Sequence, residues 1–260
     1  MKKFIQNIKK YFKYAVYSAK ADLKSEVAGS YLNWLWWILD PLFFMLIYIF
    51  IASVVFKSSE PYFPVFVFIG LTVWDYFSKN INTSVKLVNN NRAIVTKIYI
   101  PKYILVLQKS FVNLFKMGIS WILLFILMII FQVPITIKIL YFIPVLIVLY
   151  LVTFGICTIM LHFGIFVEDL GNVTNLTLKL VFYMSGIFYN IKKRIPVPYN
   201  GILLKLNPAA FIINTFRNVL IGGHRPSFIL LGGWFIIGIV LVAIGVSIIH
   251  KYENSYAKVI

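Results

Sequence analysis

Long apolar runs, each broken by a short polar stretch, dominate the chain, and their spacing predicts helices that cross a bilayer. Hydrocarbon about 30 Å thick needs roughly 20 helical residues per crossing. By that measure six spans are expected, over residues 31–56, 62–85, 108–131, 139–166, 178–190 and 228–249. Ahead of them, Phe4, Ile8, Tyr11, Phe12, Ala15 and Ala19 recur at helical spacing within residues 1–28, with Lys9, Lys13, Lys20 and Lys24 mostly on other faces. That pattern predicts a basic amphipathic helix lying in the membrane interface, its apolar side in the acyl boundary.

Two segments break the rhythm. Residues 86–101 are polar, with Lys86, Asn89, Asn90, Arg92 and Lys97, and end at Pro101, a residue tolerated at a helix start. Residues 191–226 alternate short apolar runs with Pro196, Pro198, Pro208 and the Gly222–Gly223 pair, and predict two short helices, re-entrant or interfacial. The fold expected is an all-α membrane protein of one transmembrane domain, with a polar tail after residue 250.

Composition sharpens this. Of 260 residues, 61% are hydrophobic and 13% charged, where soluble domains carry about 25% charged; a soluble enzyme is excluded. The net charge of +17 falls between apolar runs rather than along one face, so it reads as topology signal and anionic-lipid contact, not as a nucleic-acid surface. Basic residues crowd the N-terminal segment and the 86–102 loop, while the turns at 57–61 and 132–138 hold one lysine each, which places both termini in the cytoplasm. One segment resists: residues 190–226 fall outside, yet hold Lys192, Lys193, Arg194, Lys205, Arg217 and Arg225.

Catalytic patterns are missing from the sequence. There is no phosphate-binding G-x-x-x-x-G-K-[ST] run, no H-E-x-x-H and no G-x-S-x-G. Cys157 is the only cysteine, so no internal disulfide forms, and His162 has no second ligand at helical spacing. The sequons at Asn82, Asn172 and Asn175 fall inside helices or on the cytoplasmic side. Asp40, before Pro41, and Asp75, after Trp74, are the acidic residues within spans; each reads either as a partner for a neighbouring helix or as part of a transport path.

Aromatic spacing is the more suggestive signal. Trp37, Asp40, Phe44 and Tyr48 share one side of the first span, and Phe182, Ser185 and Tyr189 fall similarly on the fifth. Aromatic faces stack on sugar rings, which suits a sliding polymer. Helix packing or an interfacial aromatic belt is the competing reading. With Trp74, these residues form the expected substrate path.

The ordered motifs then resemble those of the membrane subunit of type-2 ABC exporters, in the branch that exports polysaccharides, O-antigens and teichoic acids. They comprise Lys24, Gly29, Ser30, Leu35, Trp36 and Pro41; Tyr62-Phe63-Pro64, Gly70-Leu71 and Trp74; Leu87-Val88-Asn89-Asn90, Ile94, Lys97, Ile98 and Pro101; and Asp169, Ser185, Tyr189, Asn207-Pro208 and Arg217. Two positions depart: Glu168 stands where the family usually has arginine, and Gly186 where it has proline.

The resemblance implies a homodimer in the bacterial cytoplasmic membrane that moves a polyprenyl-linked glycan. ATP and Mg would sit on a separate cytoplasmic ATP-binding subunit, with no cofactor in this chain. It also implies that Asn89, Asn90, Arg92, Ile94, Lys97 and Pro101 couple to that subunit, with Glu168 and Asp169 as a second contact, and that Asn207, Pro208 and Arg217 belong to gate helices between spans five and six. Export of a drug or small lipid, or a non-transport enzyme or scaffold of envelope synthesis, are the alternative functions.

Overall fold

A computed structural model describes residues 2–29, 32–51 and 60–259. Described residues form helices and connecting turns, in the order α1 (Lys2–Ala28), α2 (Asn33–Phe50), α3 (Phe63–Val85), α4 (Leu87–Asn90), α5 (Arg92–Val95), α6 (Lys102–Ile130), a 3-10 turn (Ile137–Tyr141), α7 (Phe142–Phe166), α8 (Leu170–Met184), α9 (Ile191–Arg194), α10 (Tyr199–Leu206), α11 (Pro208–Leu220) and α12 (Phe228–Val259). Ser30, residues 31 and 52–56 of the first expected span, and residues 57–59 of the turn after it lie outside the described residues.

Among the described residues, four helices are long and apolar enough to cross a membrane: Asn33–Phe50, Lys102–Ile130, Ile137–Phe166 and Phe228–Glu253. Their outward faces expose large apolar side chains, such as Ile126, Ile129, Ile147 and Ile236, which water would penalise and lipid accepts. This is a multi-pass membrane protein.

α3 is the hub. It packs against α2, α6, α7, α8 and α11, and most of its side chains are buried, among them Val65, Phe68, Ile69 and Val73. Inside it, Asn113 of α6 donates to Asn80 Oδ1 at 3.1 Å, and Asn80 donates to the Tyr76 carbonyl at 2.7 Å. Such amide links hold helices together where the apolar effect between them is weak. α12 lies along α7 for most of its length, and the backbones meet so closely at Gly245 that a Cβ there would collide with Thr158.

Three features differ from the sequence reading. The apolar stripe of α1 is shared between the surface and α6: Phe12 stays 48% exposed while Phe4, Ala15 and Ala19 are buried, Phe4 and Phe12 meet Tyr103 and Phe111 edge-on, and Asp22 and Glu26 pair with Lys109 and Lys116 of α6 at 3.8 and 2.5 Å. α8 starts and ends earlier than the apolar stretch 178–190. Thr174 and Leu178 turn inward against the protein, while after the Ser185 cap Gly186, at φ 65°, stops the helix by taking the left-handed conformation that a residue with a Cβ resists. α12 runs on through the tail to Val259 because that tail has partners: Tyr256 is buried with its hydroxyl 2.7 Å from His162 Nδ1.

Candidate functional site: an aromatic cavity between helices

A cavity of about 370 Å³ opens between α2, α3, α6 and α8. Asp40, Pro41, Phe44 and Tyr48 of α2 line one wall, successive turns of one helical face. Leu71, Thr72, Trp74, Asp75, Ser78 and Lys79 of α3 line the facing wall, Ser120 of α6 the floor, and Phe182 of α8 the side. Five residues of the expected substrate path (Asp40, Phe44, Tyr48, Trp74 and Phe182) therefore share one cavity although they come from three helices.

Its aromatic groups are packed but not closed over. Trp74 and Phe182 lie 5.4 Å apart between ring centroids and Tyr48 and Phe182 6.2 Å, both tilted, while Tyr48 stacks on Phe188 at 4.6 Å. Phe44 stays 56% exposed at the mouth. Polar groups alternate with these rings. Asp75 and Lys79, one turn apart, form an ion pair of 2.9 Å with both side chains about half exposed. The Thr72 hydroxyl is buried with no hydrogen-bond partner among the described residues, so an acceptor or donor entering the cavity meets an unmatched polar atom. Tilted rings, a carboxylate, an ammonium group and hydroxyls can bind polyols through CH–ring contacts and hydrogen bonds without fixing one register.

The other residues expected along the path lie elsewhere. Trp37 meets Phe115 edge-on at 6.0 Å, with Lys116 Nζ 5.5 Å from its ring centre, and so fastens α2 to α6. Because α8 stops at Met184, Ser185 and Tyr189 leave the helical stripe that their spacing suggested. Ser185 is buried, donates to the Val181 carbonyl at 2.6 Å and accepts from Asn207 Nδ2 at 3.1 Å. Tyr189 donates to the Tyr183 carbonyl at 2.7 Å.

Asn207 also caps α11, its side-chain oxygen accepting from the backbone N–H groups of Ala209 and Ala210, with Pro208 at the first turn. Further along α11, Arg217 is buried, and its guanidinium donates to three backbone carbonyls: Nε to Phe66 at 3.0 Å, Nη1 to Gly186 at 2.6 Å and Nη2 to Ile187 at 2.5 Å. It also lies over the Phe66 ring at 3.4 Å. One side chain thus fastens α11 to α3 and to the turn after α8. Nothing in the sequence points to these partners, because backbone carbonyls belong to every residue.

At the other end of α3, Leu87 and Val88 are buried, whereas Asn89, Asn90, Arg92, Ile94 and Lys97 are exposed, and Pro101 is buried at the head of α6. Lys86 runs over Gly171, its Cε 3.3 Å from where a Cβ would stand, so the turn carrying the exposed Glu168 and Asp169 sits beside this segment. Tyr99 ties the segment to α12 by donating to Glu253 Oε2 at 3.0 Å. Desolvation first, and then the nearby Glu253, push its hydroxyl up to about 12; it stays a donor throughout the neutral range.

No family model matches the chain. Among curated proteins, it is 24% identical over 237 residues to the O-antigen export system permease protein RfbA of Myxococcus xanthus, covering 91% of each. Two proteins of the same description from Klebsiella pneumoniae are each 25% identical over 244 residues, covering 92% of each chain. A chain whose described residues form helices and turns is thus similar to these permeases over nine-tenths of both partners, in keeping with the ordered motifs of its sequence.

Proposed function

We propose that the chain is the transmembrane subunit of an ATP-driven ABC transporter that exports a lipid-linked polysaccharide across the cytoplasmic membrane. The observation that carries this is the alignment with O-antigen export permeases over nine-tenths of both chains. The aromatic cavity supports it, since rings alternating with hydroxyls and charges suit a polymer of sugars.

In this reading six helices cross. To the four long apolar ones are added α3, which spans about 34 Å at 1.5 Å per residue but carries Asp75 and Lys79, and α8, about 22 Å long and completed by the turn after it. α9, α10 and α11 form the gate on the outer side, and both termini face the cytoplasm. Two copies face each other across α2 and α8, the helices with the fewest buried side chains of any long helix, and enclose one path between their cavities.

The ATP-binding subunits dock on the exposed Asn89–Lys97 surface and on Glu168 and Asp169. Closure of those subunits pushes on α4 and α5, which follow α3 directly in the chain, and so shifts the Trp74 wall against α2. ATP and Mg are bound and hydrolysed on the partner subunit.

The test is charge reversal at the docking surface. R92E with K97E is expected to abolish export of the lipid-linked glycan while the protein still inserts and still accumulates. Unchanged export would remove the docking role of this segment, and a fully exporting membrane from which no ATP-binding subunit co-purifies with the chain would remove the ABC reading.

A further inference from the structure

A second cavity, of about 300 Å³, lies at the opposite end of α3 from α4 and α5, bounded by the start of α3, by α9, by α11 and by the turn at Gly222. Its lining mixes apolar side chains with a polar set that includes Glu60, Lys193, Asn214, Arg217, Asn218 and His224. Three of these, Asn214, Arg217 and Asn218, form a single stripe of α11, whose other faces, with Phe211, Ile212 and Phe216, are buried in the core.

The charges around this cavity do not balance. Glu60 already holds Lys193 at 2.9 Å and accepts from Asn190 at 3.5 Å. Among the described residues Arg217 has no carboxylate within 4 Å, Glu60 of the same cavity acting on it only from farther off; its three hydrogen bonds go to neutral carbonyls and leave two of its five N–H donors unassigned. The carboxamides of Asn214 and Asn218, half-buried on the same stripe, have no hydrogen-bond partner among the described residues. Glu60 is the one carboxylate in the lining and is engaged by Lys193, so two cations, Arg217 and Lys193, share one anion beside two amides without partners, which leaves an excess of positive charge and free donors facing the cavity. The basic residues of 190–226 that contradict the topology rule fit the same picture: Lys192 and Arg194 are exposed beside Lys193 and add positive potential at its rim.

We infer that this cavity is a binding site for a phosphoryl group, held by Arg217, Asn214 and Asn218 with Lys193 and His224 at the mouth. A tetrahedral phosphoryl group offers several acceptor oxygens to donors converging from different elements. Two sources share that chemistry, the headgroup phosphate of a membrane lipid and a soluble or substrate-borne phosphate. The inference stands on the cavity itself; only its assignment to the outer face rests on the proposed orientation.

Purified full-length chain in maltoside micelles, which carry no phosphate, would be titrated with inorganic phosphate at constant ionic strength while its thermal unfolding midpoint is followed. A saturable rise is expected for the unaltered chain, weakened at least tenfold in apparent affinity in N214L/N218L and in K193Q, and absent with glucose. Adding phosphatidylglycerol separates the sources: if a headgroup fills the site, the lipid raises the midpoint and inorganic phosphate then adds nothing; if not, the phosphate titration is unchanged by the lipid. No saturable response to either phosphate or lipid in the unaltered chain overturns the inference, and so does a response of equal affinity in both variants. R217A is left out because loss of three carbonyl bonds would compromise folding; N214L and N218L leave those bonds in place.

Discussion

Individual side chains carry the aromatic cavity. Trp74 and Phe182 stand together at its wall, and removing either ring deletes a stacking face without touching the polar core of α3. W74A and F182A are each expected to lower glycan export several-fold, W74F to keep most of it, and the amount of protein in the membrane to stay the same; radiolabelled glycan appearing outside the cell measures it. Gly245 is a residue of the opposite kind, where any side chain meets Thr158. G245V is expected to destabilise the chain by about 1–3 kcal/mol through overpacking, read as a lower thermal midpoint in detergent. At this scale the sequence spoke clearly where one helix carried the signal: Asp40, Phe44 and Tyr48 recur at helical offsets and do share a wall. It was silent about Arg217, whose partners are main-chain atoms, and about Asn80 and Asn113, whose pairing depends on how two distant helices cross.

Helices as units show why the expected stripe on α8 failed. Counting from Phe182 to Ser185 and Tyr189 assumes a helix that continues, and Gly186 ends it. The same limit applies to α1: its periodicity was plain, but whether lipid or α6 covers an apolar stripe depends on Asp22 and Glu26 finding Lys109 and Lys116, residues far away in sequence. α12 outruns its apolar stretch because Glu253 and Tyr256 bond to Tyr99 and His162. The bond from Tyr99 joins the exposed segment around α5 to the last helix. Y99F removes one hydrogen bond and little volume, and is expected to lower export per ATP hydrolysed while stability changes by less than about 1.5 kcal/mol; simultaneous measurement of both rates in reconstituted vesicles would reveal it, and an unchanged ratio would show that α12 takes no part in coupling.

For the whole molecule, the arrangement of cavities is the informative feature. The aromatic cavity is open where Asp40 and Phe44 are exposed, and a facing copy would close it. F44C is therefore expected to form a disulfide-linked dimer under mild oxidation, whereas I236C, on the exposed face of α12, is not; Cys157 is buried and does not interfere. Equal crosslinking at both positions would indicate random collision. Membrane class and the order of long helices were legible from apolar runs alone. Spans were also expected at 62–85 and 178–190, but among the described residues neither α3 nor α8 is one of the four long apolar helices, the first because it carries Asp75 and Lys79, the second because it is short.

α3 illustrates what that difference means for biogenesis. It is more enclosed than any of the four helices apolar enough to cross a membrane and yet is not among them. During synthesis it emerges before α6, α7 and α11, the helices that cover it; in the proposed six-span arrangement its Asp75, Lys79 and Asn80 would wait beside the insertion machinery, or at the bilayer edge, until those later segments arrive. A nascent chain that stalls after α3 would then expose a half-finished hairpin, and the late helices α7 and α11 would decide whether the early one stays in the membrane.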